Sequence, residues 1–159
     1  MDDPGVTILR AEAADVDAIA LLTDASYAPH VRLRGGPPLA IVEVHGLRIE
    51  RGQVWLLRRL GELMGVLVLE LRPDHALIHS IAVAPAHQGE GHGGRMLCWA
   101  EKRARAAGLG EIRLCTNSRM GTHLALYVAH GYREVGRRPN PYQPSWMMVD
   151  MAKSLAAAA

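Results

Sequence analysis

Four glycines stand within six positions in the stretch AVAPAHQGEGHGGRML, residues 82–97, between an apolar run and an amphipathic one. Gly89, Gly91, Gly93 and Gly94 leave the main chain bare where a helix is expected to begin. A helix start exposes unpaired N–H groups and the positive end of the macrodipole, and glycine lets an anion approach that backbone closely. An isolated glycine cluster is more often a surface turn, but a strand before it and a helix after it favour a phosphate seat. The chain also carries groups able to move protons. Tyr127 offers a phenol, which ordinarily keeps its proton up to a pH of about 10. His79 offers an imidazole with an ordinary pKa of about 6.5, and Glu70 a carboxylate. Cys98 and Cys115 lack CxxC spacing, and Ser80 and Ser118 lack a nucleophile-elbow pattern, so no covalent role is assigned to them. No HExxH or similar ligand spacing occurs, and no metal is expected.

The phosphate could belong to several ligands. Gly89, Gly91 and Gly94 satisfy the dinucleotide pattern GxGxxG. In a dinucleotide fold, however, the first glycine follows its strand almost directly and an acidic residue closes the next strand. Here residues 84–88 intervene, and the next strand ends in Cys115, Thr116 and Asn117 without a carboxylate. A nucleoside triphosphate loop would need GK followed by Ser or Thr, which is absent.

The elements that must position these groups follow from periodicity and breakers. Val6 to Arg10 reads as a strand and Ala13 to Tyr27 as a helix with Val16, Ile19, Ala20 and Thr23 on one face. Residues 30–38 are rich in Arg, Gly and Pro and predict an irregular connection before a second helix over 40–51. Val54 to Arg58 and Glu62 to Leu71 predict a hairpin across three residues, and Ala76 to Val83 a strand stopped by Pro85. From Gly93, a stripe of Leu97, Ala100, Ala104 and Ala107 predicts a helix ending at Gly108, with Glu101, Lys102 and Arg105 off the stripe. Glu111 to Thr116 reads as a strand, Thr122 to His130 as a helix, and Tyr132 to Arg138 and Trp146 to Met151 as final strands. A helix between strands 76–83 and 111–116 makes that pair parallel.

At 159 residues the chain is one domain in size, and a net charge of +2 from 18 basic and 16 acidic side chains excludes a general nucleic-acid binder. The acidic start MDDPGVTILR and the short apolar runs match neither a secretory signal nor a membrane span. With two cysteines, both expected reduced, the reading is a cytoplasmic protein of one domain over 1–159, with 153–159 a frayed tail.

Gln88-Gly89-Glu90-Gly91-His92-Gly93 resembles the Q/R-x-x-G-x-G/A signature of the GNAT superfamily of N-acetyltransferases. IleAlaValAlaPro at 81–85 and LeuAlaLeuTyrValAlaHisGlyTyr at 124–132 resemble that superfamily in order and spacing. The resemblance covers most of the chain and is strongest from Glu62 to Arg138. It implies an α/β fold of the α+β type, a single layered domain with a mixed central sheet of about seven strands flanked by helices. It also implies that main-chain N–H groups of Gln88, Gly89, Glu90, Gly91, His92, Gly93 and Gly94 hold the diphosphate of acetyl-CoA, with Arg95 adding charge, and that Ile81, Ala82 and Val83 offer main-chain bonds to the pantetheine arm. Many relatives place an asparagine seven residues before the tyrosine, where this chain has Met120; Asn117 either contacts the coenzyme or caps the helix.

By the same resemblance, an amine attacks the thioester directly, so the cysteines are bystanders. Tyr127 matches the family's acid, although Leu124, Tyr127 and Val128 sharing a helical face is also a core pattern. HisSerIleAlaVal resembles the arylalkylamine acetyltransferase branch, with its histidine base at this strand position. His79 alternating with Leu77, Ile81 and Val83 equally fits a core histidine, and Glu70 is the rival base. The implied activity is N-acetylation of a primary amine, on a small molecule or a protein, with acceptor choice expected in residues 27–44 and 140–146, where Tyr27, Tyr142 and Trp146 lie. The alternative reading is a module that binds acyl-CoA without chemistry. Neither nucleic acid nor membrane is an expected partner, and a homodimer through an edge strand is open.

Overall fold

The computed structural model describes residues 5–27, 41–118, 121–140 and 147–155. Strand β1 (Val6–Arg10) leads through a single 3-10 turn into α1 (Val16–Tyr27), and α2 (Ile41–Glu50) precedes β2 (Val54–Arg59), β3 (Glu62–Leu71) and β4 (Ala76–Val83). After a second 3-10 turn at Pro85–His87 come α3 (His92–Ala106), β5 (Glu111–Asn117), α4 (Gly121–Ala129), β6 (Arg133–Pro139) and β7 (Met147–Ser154). The seven strands form one mixed sheet in the order β1-β2-β3-β4-β5-β7-β6. Only β4 and β5 run parallel, because α3 carries the chain across between them.

Two apolar layers sandwich the sheet. Met96, Leu97, Ala100 and Ala104 recur at helical spacing along α3 and pack, with Tyr127 of α4, on Leu67, Ile78, Ile112, Leu114 and Met151. On the other face Ile19 and Leu22 of α1 and Ile49 of α2 pack on Val54, Leu56, Val66, Val68 and Ala82. Strand β3 supplies both layers, Leu67 and Leu69 to one and Val66 and Val68 to the other, as the two-residue period requires. Each fully buried side chain of this size contributes roughly 1.5–3 kcal/mol, so the central strands anchor the fold.

Several elements differ from their sequence reading. The β2–β3 hairpin turns on two residues rather than three: Arg59 pairs with Glu62, and Leu60 (φ 49°) and Gly61 (φ 83°) both take the left-handed conformation of a tight hairpin turn. Lys153 and Ser154 extend β7 against β5, and the Leu155 amide donates to the Gly110 carbonyl at 2.8 Å, so the ordered chain continues past the expected tail start at 153. Glu101, placed off the apolar stripe of α3, is buried, where it accepts bonds from Lys153 Nζ at 2.6 Å and Tyr132 Oη at 3.3 Å. Val128 is exposed although its neighbour Tyr127 is buried.

The sheet is incomplete at its centre. Strand β5 pairs with β4 only at Ala76–Ile112, Leu77–Arg113 and Ile78–Leu114, and beyond Ile78 the two strands have no partners in common. At that point the β3–β4 register shifts: Val68 faces Ser80 and Leu69 faces Ile78, which leaves His79 as the extra residue of a bulge. Bulges raise local twist and re-aim side chains.

Candidate active site

The four loop glycines serve two purposes. Gly89 (φ 82°) and Gly91 (φ 85°) occupy the left-handed region with open space around them, so conformation alone demands glycine there. Gly93 and Gly94 stand against α4 instead. A Cβ on Gly93 would meet Leu126 Cδ2 at 3.1 Å, and one on Gly94 would meet His130 Nε2 at 2.8 Å. The first pair shapes the loop and the second lets α4, which carries Tyr127, lie on the start of α3.

The start of α3 leaves several main-chain donors without a main-chain acceptor among the described residues. Gly91 caps α3, and the first helical bond runs from the Arg95 amide to the Gly91 carbonyl at 3.1 Å. The amides of residues 89–94 have no main-chain acceptor among the described residues. Arg95, in the first turn of α3, has a buried Nη1 that lacks a partner among the described residues. Gln88 turns back: its Nε2 donates to the Val83 carbonyl at 3.1 Å and ties the loop to the end of β4.

Gln88, Gly89 and residues 91–94 edge a cleft of about 470 Å³ that runs from the loop to Ile81, Val83 and Tyr127; Glu90 and Arg95 are not among its lining residues. Tyr127 is 6% exposed and meets the rings of Tyr132 and His123 edge-on, with centroids 6.1 and 6.3 Å away. Ser26, His87, Thr122, His123 and Leu126 also line the cleft and escaped the sequence reading. His123 carried a usable signal, since it lies one helical turn before Tyr127. Ala82 packs its side chain into the opposite layer, leaving only its main chain toward any ligand. Asn117, buried at the end of β5 opposite Met148, does not line the cleft. Met120 and the acceptor segments 28–40 and 141–146, with Tyr142 and Trp146, lie outside the described residues.

His79 lines a second depression of about 580 Å³, whose walls also include Arg72, Arg113, Cys115, Arg138 and Asp150; Glu70 is bonded to His79 but is not one of the lining residues. Arg113 and Cys115 alternate with the core residues Ile112 and Leu114, so this trough lies on the face of the sheet opposite α3. Cleft and trough share strand β4, one taking Ile81 and Val83 and the other Leu77 to His79, where β5 parts from it.

His79 Nε2 lies 2.8 Å from Glu70 Oε1, and Arg72 Nε donates to Glu70 Oε2 at 3.2 Å. Burial holds the His79 pKa below the ordinary imidazole value, overriding the attraction of Glu70, while Arg48 and Arg72 push in the same direction as burial. The hydrogen bond from His79, with the Arg72 guanidinium behind it, lowers the Glu70 pKa against the opposing effect of its partial burial. Together these directions describe a neutral imidazole donating Nε2–H to an ionised carboxylate, with Nδ1 left as the basic atom. Cys115 is pushed up to about 11, first by burial and then by Asp150, so its thiol is not a nucleophile at neutral pH.

A third set of groups adjoins the loop. His87 lies with Nδ1 3.0 Å from Glu90 Oε1 and Nε2 3.0 Å from Glu62 Oε1, and His92 Nε2 lies 3.3 Å from the same Glu90 oxygen. The two carboxylates raise the His87 pKa, Glu62 most, and His87 in turn lowers that of Glu90.

No curated protein matches the chain. Among solved structures it is similar to the ribosomal-protein-S18-alanine N-acetyltransferase of Escherichia coli, with a TM-score of 0.80 and 21% identity over 97% of this chain and 96% of that one. It is similar to the PaiA N-acetyltransferase of Thermoplasma acidophilum in complex with coenzyme A, with a TM-score of 0.78 and 16% identity over 94% and 98% of the two chains. It also resembles YncA of Salmonella typhimurium, a putative acetyltransferase with its cofactor acetyl-CoA, with a TM-score of 0.76 and 20% identity over 98% and 97%. At these identities the likenesses establish the fold. The profile of the acetyltransferase (GNAT) family matches residues 20–132, well over half of the chain, and the protein belongs to that family.

Proposed function

We propose that the protein transfers an acetyl group from acetyl-CoA to a primary amine by direct attack. The observation that carries this reading is a cleft lined by the glycine loop, Ile81, Val83 and Tyr127, where the amides of 89–94 have no main-chain acceptor among the described residues and β4–β5 pairing has ended. The diphosphate is held by those amides with Arg95 adding charge. The pantetheine arm lies along Ile81 to Val83, past the last residue pair that joins β4 to β5. Asn117, off the cleft wall, has no assigned contact.

The acceptor enters from the trough, which opens on the other side of the same gap. The neutral His79 takes one proton from the attacking nitrogen through Nδ1, while Glu70 holds the ring by its Nε2–H. The nitrogen forms a bond to the thioester carbonyl carbon, the C–S bond breaks, and Tyr127 Oη–H protonates the departing sulfur. The phenolate then regains a proton from solvent. No cysteine takes part. The acceptor amine is carried by a small molecule or a protein.

The test is release of free thiol from acetyl-CoA across a panel of amines and peptide N-termini, with coenzyme binding followed separately by calorimetry. Amine-dependent release that Tyr127→Phe cuts about 100-fold at unchanged coenzyme affinity supports the mechanism, in keeping with the typical effect of a general acid. Tight coenzyme binding with no release for any amine would instead make the protein an acyl-CoA-binding module.

A further inference from the structure

We infer that His87, Glu90 and His92 form a binding site for one zinc ion beside the glycine loop. One donor atom from each of the three residues lies within 4.8 Å of the other two, and His87 Nδ1 and His92 Nε2 both meet Glu90 Oε1. Tetrahedral zinc bound about 2.0–2.1 Å from each donor keeps its donors roughly 3.4 Å apart. Glu90 Oε1 is already 3.0 Å from His87 Nδ1 and 3.3 Å from His92 Nε2, so two of the three edges fit and the third closes by a small movement of the half-buried His87 ring.

Two further observations point to a cation. Glu62, arriving from the start of β3, faces the far nitrogen of His87, Nε2, at 3.0 Å. A carboxylate behind a histidine fixes the tautomer and ring orientation and raises the basicity of the nitrogen turned to the metal, which is the usual support of a zinc-bound imidazole. His92 is wholly buried at the first position of α3, and its Nδ1 has no hydrogen-bond partner. That imidazole is therefore held only through Nε2, the atom aimed at the cluster. Two imidazoles and one carboxylate suit zinc better than the oxygen-seeking cations, and they leave a fourth position for water. Metal entry displaces the proton between His87 Nδ1 and Glu90 to solvent, and His92 carries its proton on Nδ1.

The spacing H-x-x-E-x-H of residues 87–92 differs from the familiar zinc patterns, and Glu62 lies 25 positions away from His87, so the sequence reading expected no metal. The site does not depend on the acetyltransfer reading, since it is tested without coenzyme.

The experiment is calorimetric titration of chelator-treated full-length protein with Zn2+ alone. The expected result is one saturable equivalent per chain, lost in His87→Gln and weakened about tenfold in Glu62→Gln, as removal of such a supporting carboxylate typically does. Cys98→Ser, which alters an exposed thiol, binds as the parent does. Ring-nitrogen resonances of His87 and His92 are expected to shift on titration of the parent protein, a readout that stands even where a variant folds poorly. No saturable binding, equal affinity in His87→Gln, or unshifted resonances for both rings would overturn the site and leave the cluster a hydrogen-bonded network of charges.

Discussion

Two histidines, His79 and His87, meet carboxylates at nearly equal distances yet shift in opposite directions. His79 meets Glu70 at 2.8 Å and its pKa is lowered; His87 meets Glu62 and Glu90 at 3.0 Å each and its pKa is raised. The geometry of the hydrogen bond does not separate them. His79 sits at the bulge of a central strand, desolvated and within the influence of two arginines, whereas His87 sits on a surface turn between two carboxylates. The contrast teaches that surroundings assign the charge: burial favours the neutral form of one imidazole, and flanking carboxylates favour the positive form of the other beside the glycine loop.

The largest expected effect breaks the buried member. His79→Ala is expected to lower kcat/KM about 100-fold, the lower range for a general base, and to abolish the acid limb of the pH profile. In the parent that limb lies below the ordinary imidazole value, because the His79 pKa is depressed. An unchanged limb in the variant would remove His79 from the reaction.

Glu70→Gln sharpens the pairing by leaving the ring and removing the charge. Activity falls about tenfold, a positioning loss that is a fraction of a full base contribution. The acid limb moves to lower pH, since the carboxylate was holding the His79 pKa up against burial. A limb that moved upward would reverse the assignment of causes.

Direct titration of the two rings by NMR in chelator-treated protein compares them without any substitution. His79 is expected to titrate below 6.5 and His87 above it. Coincident midpoints would erase the contrast.

The smallest effect is on stability, with opposite signs at the two sites. For His79 the unfolded chain binds the proton first, so its contribution is full above 6.5 and declines as pH falls through that value. For His87 the folded chain binds the proton more tightly, so its contribution is present below 6.5 and declines as pH rises through the raised pKa. Urea midpoints measured across this range should flatten on the acid side in His79→Gln and on the alkaline side in His87→Gln. The same slope change in both variants would contradict the paired assignment.

Much of this architecture was legible because its signals are local. The glycine spacing at 89–94, the stop at Pro85 and the stripe through Leu97, Ala100 and Ala104 each lie within a few turns of chain, and they fixed β4, the loop and α3 in order. What escaped depends on partners far away in sequence. Glu101 reads as a solvent-facing residue until Lys153, 52 positions on, reaches it. Leu60 does not announce a left-handed turn, because L side chains disfavour that conformation and only the register of the flanking strands imposes it. The length of β4–β5 pairing has no local signal, and neither does the meeting of Glu62 with His87. The close approach of His130 to Gly94, which brings the end of α4 onto α3, is encoded by no periodicity.

Only three residue pairs join the β1–β4 half of the sheet to the β5–β7–β6 half. A ligand threaded into the opening would act as an eighth strand supplied from solution, completing a seam the polypeptide leaves unsewn. Stability would then rise with ligand concentration, by about 2.7 kcal/mol at a hundredfold excess over Kd. Resistance to unfolding would become a gauge of how well supplied the protein is.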